Sequence, residues 1–205
     1  MKWLTPILPY LAVGFGLFWF HNGWIALLGF HLGIIISLLL AKPHIPLKIL
    51  FKSNDIRWIV LSIILSGSSG VSLYFLRASF GIIKDLPVQL ESFGLTRLTW
   101  PLFITYFVFV NPLIEEYFWR GFLGSPTKSL YISDFLYAGF HALILFGNVQ
   151  TGPIIYSLIV LTLAGWFWRQ ITREDKGLLA PILGHMAADF TILMAVYQIS
   201  ISTLT

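Results

Sequence analysis

An all-α, polytopic membrane helix bundle is the fold class this sequence predicts, and three observations carry it. The chain is 57% hydrophobic and only 11% charged over 205 residues, where soluble domains carry roughly 25% charged residues. Its mean hydropathy is +0.83. Apolar runs of about the ~20 residues that a bilayer core requires recur about seven times along it. The length leaves room for little besides spanning helices and short loops. We therefore expect one integral membrane domain over residues 1–205, with a motif-bearing core at about 100–199. There is no cysteine, which excludes disulfides, thiolate metal sites and cysteine nucleophiles. The formal net charge of +4 reads as a positive-inside bias, with no basic patch or phosphate-binding glycine loop to suggest nucleic acid.

The first apolar segment, Thr5 to Phe20, follows Lys2 and lacks a small-residue cleavage site before His21-Asn22-Gly23, so a retained helix is predicted. The second, Trp24 to Ala41, holds Gly29 and Gly33 at G-x-x-x-G spacing, which permits close helix contact. His31 between them has no acidic neighbour in sequence and reads as a packing or hydrogen-bonded residue. A polar connection from Lys42 to Arg57 precedes the third helix, Trp58 to about Leu76. The Ser66-Gly67-Ser68-Ser69-Gly70 centre of that helix suits tight packing or a local kink. Arg77 to Thr99 is mixed, broken by Gly81, Pro87 and Gly94, and suits a short interfacial piece. The fourth helix is expected over Trp100–Phe122, the fifth over about Leu130–Phe146, the sixth over Pro153–Trp168 and the seventh over Leu178–Ile199. With the N-terminus in the cytoplasm, the inside set of basic residues is Lys2, Lys42, Lys48, Lys52, Arg57, Lys128, Arg169, Arg173 and Lys176. The outside set is then Arg77, Lys84 and Arg97, and the imbalance supports that orientation.

The fourth segment contains Asn111 to Phe122, N-P-L-I-E-E-Y-F-W-R-G-F. A carboxylate in hydrocarbon costs about 2.5–3.5 kcal/mol on insertion scales, so an ionisable residue there is a functional hypothesis by default. Glu116 and Arg120 are i,i+4 with the acid on the N-terminal side, the better orientation for a helix ion pair. Glu115 is turned about 100° away and shares its face with Phe118 and Trp119, a hydrophobic setting suited to a general base or acid. Pro112 removes the donor that the Val108 carbonyl would use, so the helix can kink there, or Asn111 can cap a new helix with Pro112 at its first position.

Two further polar pairs lie in apolar segments. Tyr137 and His141 stand one turn apart on the fifth helix, and His185 and Asp189 one turn apart on the seventh. Counting at 1.5 Å per residue from the cytoplasmic helix ends puts Glu115, His141 and His185 all roughly 10 Å below that surface. The common depth argues for one site. Such a set can hydrolyse in two ways. Glu115 can deprotonate water while the histidines hydrogen-bond the developing oxyanion, or His141 and His185 with Asp189 or a glutamate can hold zinc with one position open. No serine elbow, aspartyl pair or H-E-x-x-H motif is present.

Glu115-Glu116-x-x-x-Arg120, then an aromatic-x-x-x-His141, then His185-x-x-x-Asp189 resembles the pattern of the CPBP intramembrane proteases. This is the CAAX-protease and bacteriocin-processing family, also called Abi, related to the Rce1-type prenyl-protein endopeptidases. The resemblance covers about residues 112–190. It implies that Glu115 activates water, that Glu116 pairs with Arg120 to order the site, and that His141 and His185 orient water or stabilise the oxyanion. Tyr137 stands where that motif usually has Phe, which adds a hydroxyl in the second shell of the site. Residue 189 is Asp where Asn is common; an ionised Asp cannot donate to an oxyanion, so Asp189 suits an orienter of His185 or a metal ligand.

The function expected is that of an intramembrane endopeptidase cutting a membrane-associated peptide or protein, with no cofactor favoured and zinc as the alternative. The bilayer and the peptide are its expected partners, in a prokaryotic plasma membrane with the N-terminus and the site opening toward the cytoplasm. Two other classes fit the composition: a non-catalytic scaffold or bacteriocin self-immunity protein that keeps the motif for packing, and a proton-coupled carrier using Glu115 and the histidines as a relay. A carrier favours broken helices in related halves, and no internal repeat stands out here.

Overall fold

The computed structural model describes residues 2–78 and 86–202. Every regular element in that range is helical: α1 (Ile7–Gly14), α2 (Gly23–Ala41), α3 (Ile56–Leu76), α4 (Leu86–Ser92), α5 (Trp100–Glu116), α6 (Ile132–Leu145), α7 (Thr151–Asp175) and α8 (Leu179–Ser202). A π-helical turn, Phe15–Trp19, prolongs α1, and a second, Tyr117–Phe122, prolongs α5. Each of the apolar segments expected from the sequence coincides with one of these helices or its prolongation. Four of them, α2, α3, α7 and α8, are long and apolar enough to cross a bilayer by length and composition. The short piece expected between Arg77 and Thr99 is α4, and Gly94, at φ +75°, closes the turn behind it. Gly81 and Lys84 lie outside the described residues.

The outward faces are apolar. Leu39 and Leu40 of α2, Phe75 of α3 and Phe109 of α5 are all exposed, as lipid-facing side chains are in a spanning bundle, where the polar groups turn inward instead. The chain is a multi-pass membrane protein. Its interior is an aromatic core in which Phe30, Phe118, Trp119, Tyr137, Phe140 and Trp168 meet.

Small residues set the helix spacing. Without a hydrophobic drive between helices in lipid, close backbone approach and packing hold the bundle. The most extensive pairing is α3 with α8. It runs in parallel register, Ser62 against Gly184, Gly67 against Ala187 and Gly70 against Thr191. The Gly70 amide donates to Thr191 Oγ1 at 3.2 Å, and a Cβ at Gly70 would overlap the Thr191 backbone. The glycine and serine centre of α3 thus serves tight packing. α1 and α2 pack antiparallel in the same manner, with Gly33 over Pro9 and Gly29 over Ala12.

Two expectations are corrected. Asn111 does not start a new helix, because α5 runs unbroken through Pro112 and Asn111 uses its side chain elsewhere. Arg169 is not a loop cation, because α7 continues past Trp168 as far as Asp175. Arg169 is 2% exposed and grips Asp134 through Nε at 2.9 Å and Nη2 at 2.7 Å. The same guanidinium donates to the carbonyls of Thr127 and Ser129, both at 2.6 Å. This staples the loop before α6 to α7, while Asp134 caps α6 by accepting from the Tyr131 amide at 2.9 Å. At the same end, Asp175 accepts from the Asn54 and Asp55 amides at 2.7 and 3.0 Å, joining the close of α7 to the entry of α3.

Candidate active site

The charged cluster forms where α5 and its π turn face α6 and α8. Glu115, Glu116, Arg120 and His185 are all buried. Widening the turn after Glu116 sends Phe118 and Trp119 into the aromatic core while Arg120 still lies beneath Glu116. π turns of this kind recur at functional sites.

The two adjacent glutamates have different surroundings. Glu116 Oε1 meets Arg120 Nη1 at 3.1 Å and His185 Nδ1 at 2.7 Å. Glu115 faces no cation at contact distance among the described residues and instead accepts from Trp119 Nε1 at 3.0 Å. It remains within electrostatic reach of His185, Asp189 and Glu116. The i,i+4 pairing of Glu116 with Arg120 is therefore present, while Glu115 lies against the Trp119 indole in a pocket that is polar as well as aromatic, because Asn111, His185 and Asp189 also reach it.

Arg120 is held as much by rings as by oxygen. Its guanidinium lies 3.9 Å from the Tyr137 ring centroid and 5.0 Å from that of Trp168, a cation–π arrangement that gains strength where water is excluded. Neither terminal nitrogen makes a directed hydrogen bond among the described residues. The contact with Glu116 is thus an ion pair at close range rather than a two-pronged fork. Gly165 of α7 admits this arrangement, since a Cβ there would stand 3.1 Å from Tyr137 and 3.4 Å from Arg120 Nη2.

His185 stacks on Trp168, with centroids 4.8 Å apart and planes at 23°. Its Nε2 looks toward Asp189 Oδ1 at 3.5 Å, so both ring nitrogens face carboxylate oxygens. His141 Nδ1 lies 3.0 Å from the Tyr137 carbonyl. A carbonyl can only accept, so Nδ1 carries the proton and Nε2 is left as an acceptor. Tyr137 contributes through its ring and its carbonyl. The ring of Phe140, 4.0 Å from His141, stacks at 6.1 Å on Trp119, which links His141 to the indole that holds Glu115.

The zinc alternative fares poorly on this donor set. Among the described residues no group of three His, Asp or Glu side chains converges as a metal site does. His185 commits Nδ1 to Glu116 and turns Nε2 to Asp189, and Asp189 takes Asn111 Nδ2–H at 3.3 Å. The residues present do not fit a three-ligand site.

The structure thus gathers Glu115, Glu116, Arg120, Tyr137, His185 and Asp189 within mutual electrostatic reach. His141 stands beside them, against Tyr137 and Phe140. Sequence reasoning passes over one participant, because Trp119 reads as a hydrophobic flank although its i,i+4 spacing from Glu115 is visible. His31 is hydrogen-bonded as expected, but its partner Asn111 lies 80 positions away and has no signal in the sequence.

Residues 97–191 match the family model described as type II CAAX prenyl endopeptidase Rce1-like. Over that segment the chain is similar to the Rce1-like family. No curated protein and no solved structure matches the chain. The matched segment runs from α5 into α8 and contains every residue of the charged cluster. The family is one of CAAX-type intramembrane endopeptidases, which implies protease activity and a membrane-associated protein substrate.

Proposed function

We propose that this Rce1-like protein is an intramembrane endopeptidase that activates water with Glu115 and without a metal. The observation that carries the reading is the contrast between the two glutamates. Glu116 is committed to Arg120 and His185, whereas Glu115 meets no cation at contact distance among the described residues, only the neutral N–H groups of Trp119 and Asn111, and is left to take a water proton.

In this reading a water lies between Glu115 and His141 Nε2, the one imidazole nitrogen of the pair that is free to accept. Glu115 takes one water proton, and the hydroxide oxygen bonds to the scissile carbonyl carbon. The charge that develops on the carbonyl oxygen needs donors placed in advance. His185 Nε2, which Asp189 holds only at 3.5 Å, is the donor best placed to turn toward it. Collapse of the tetrahedral species breaks the C–N bond, and Glu115 passes its proton to the departing amine. Glu116 and Arg120 fix the positions of His185 and Tyr137 and take no proton. Substrate enters past His141 and Asp189, because Asp189, at 12% side-chain exposure, is less enclosed than Glu115 at 2%.

Purified protein in lipid vesicles, given a farnesylated C-a-a-X peptide and its unprenylated twin, tests the reading. Mass spectrometry should find one new C-terminus whose carboxylate carries oxygen from labelled water, and a chelator should leave the rate unchanged. Loss of cleavage on chelation, restored by zinc with one metal bound per chain, would overturn the metal-free route.

A further inference from the structure

A second hydrogen-bonded chain reaches the site from the opposite side, through residues that the charged motif does not contain. Tyr106 Oη lies 3.1 Å from His31 Nδ1. His31 Nε2 lies 3.0 Å from Asn111 Oδ1, and Asn111 Nδ2 lies 3.3 Å from Asp189 Oδ2. The series joins α2, α5 and α8, and His31 and Asn111 are both buried.

Its polarity follows from one end. An ionised carboxylate only accepts, so the Asn111 amide must turn its NH2 to Asp189 and its carbonyl to His31. That carbonyl only accepts in turn, so His31 donates through Nε2–H. Nδ1 is then left to accept from the Tyr106 hydroxyl. Each imidazole nitrogen has one role, and the Asn111 amide, which has two N–H donors, also reaches Glu115. The anchored oxygen of Asp189 is Oδ2, so Oδ1 is held toward His185 Nε2 at 3.5 Å.

We infer that Tyr106, His31 and Asn111 are positioning residues that fix the rotamer of Asp189 and so hold its Oδ1 beside His185 Nε2, while Glu116 seats the ring itself. The inference rests on the proteolytic reading of the site. It adds three residues that act on it from α2 and the outer part of α5 without touching substrate. Misplacement of a group in the site by about 1 Å can lower a rate by about 100-fold.

The amide–carboxylate contact can be inverted, which distinguishes positioning from bulk stability. N111D sets a new carboxylate against both Asp189 and Glu115 and should lower kcat/KM by about 10- to 100-fold. N111D/D189N restores one amide and one carboxylate with the polarity reversed, still leaves an acceptor for His31, and should recover at least about tenfold over N111D, a large departure from additivity. H31Q retains a donor and an acceptor and should stay within about threefold of wild type, while H31F should fall with kcat rather than KM affected. An N111D/D189N pair no better than N111D, or an H31F enzyme with unchanged kcat, would overturn the inference. Nitrogen-15 NMR on histidine-labelled protein reads the chain without any substrate. His31 should show a protonated Nε2 and a bare Nδ1, and Y106F should shift the Nδ1 resonance. A His31 protonated on Nδ1 alone would overturn the inference even if the peptide is cut; a correct tautomer in a protein that cuts no peptide would fault the proteolytic reading and leave the chain standing.

Discussion

Glu116 and His185 meet at 2.7 Å across α5 and α8, and the same glutamate oxygen receives Arg120 at 3.1 Å. One buried carboxylate thereby ties the charged motif of α5 to the histidine motif of α8. Removing one partner of a buried pair leaves a charge uncompensated, at a cost of about 3–5 kcal/mol. Arg120→Ala should therefore lower the melting temperature by several degrees, and Glu116→Gln should lower it less when Arg120 is already gone. Additive losses in that cycle, measured by thermal unfolding in detergent, would show that the two do not interact.

Trp119 separates hydrogen bonding from packing. Its indole stacks on Phe140 at 6.1 Å and donates to Glu115 at 3.0 Å. Trp119→Phe keeps a ring in the core and deletes the N–H. A hydrogen bond to a charged group contributes about 1.5–3 kcal/mol to stability, so the unfolding temperature should fall by several degrees and the rate should fall as Glu115 loses the donor that holds it. Equal rates for the two proteins would mean that the indole does not set the Glu115 carboxylate.

The α3–α8 seam places His185 and Asp189 and leaves no room for larger residues. At Gly70 an added methyl meets Thr191 backbone, which cannot swing aside as a side chain can. Gly70→Ala should cost about 1–3 kcal/mol through overpacking, with activity falling alongside stability as α8 is pushed outward. A Gly70→Ala protein with wild-type melting temperature and rate would contradict the close approach.

Arg169 and Asp134 should be as sensitive as the charged cluster although their ion pair is separate from it. Arg169→Met strands Asp134 and frees the carbonyls of Thr127 and Ser129. Limited proteolysis should then cut between residues 124 and 131, and the wild-type loop should resist. An equally resistant loop in the variant would show that the staple is dispensable.

What could be read from the sequence was what lies within one helix. Glu116 and Arg120 are one turn apart, and helical geometry alone pairs them. The apolar length of each segment marked its helix, and the small residues of α3 signalled close packing. Common depth groups Glu115, His141 and His185 from three helices, but which atoms meet across helices is hidden. Nothing in sequence joins Glu116 to His185, or His31 to Asn111, because those contacts depend on how α2, α5 and α8 are rotated in the bundle. Asn111 before Pro112 looks like a cap, but its side chain is drawn instead to Asp189 and His31. Arg169 looked like a loop charge because the apolar run stops at Trp168, while the helix continues on polar residues that Asp134 and the loop carbonyls neutralise.

The central claim is that Glu115 is the base, and the rate of Glu115→Gln tests it most directly. The amide is nearly the same shape and can still meet the Trp119 indole, so the protein should fold and melt as wild type does. Removal of a general base costs about 10²–10⁴-fold, so cleavage of the farnesylated C-a-a-X peptide should drop by at least about 100-fold, with substrate binding retained. A Glu115→Gln protein that keeps more than about a tenth of the wild-type rate would contradict the assignment.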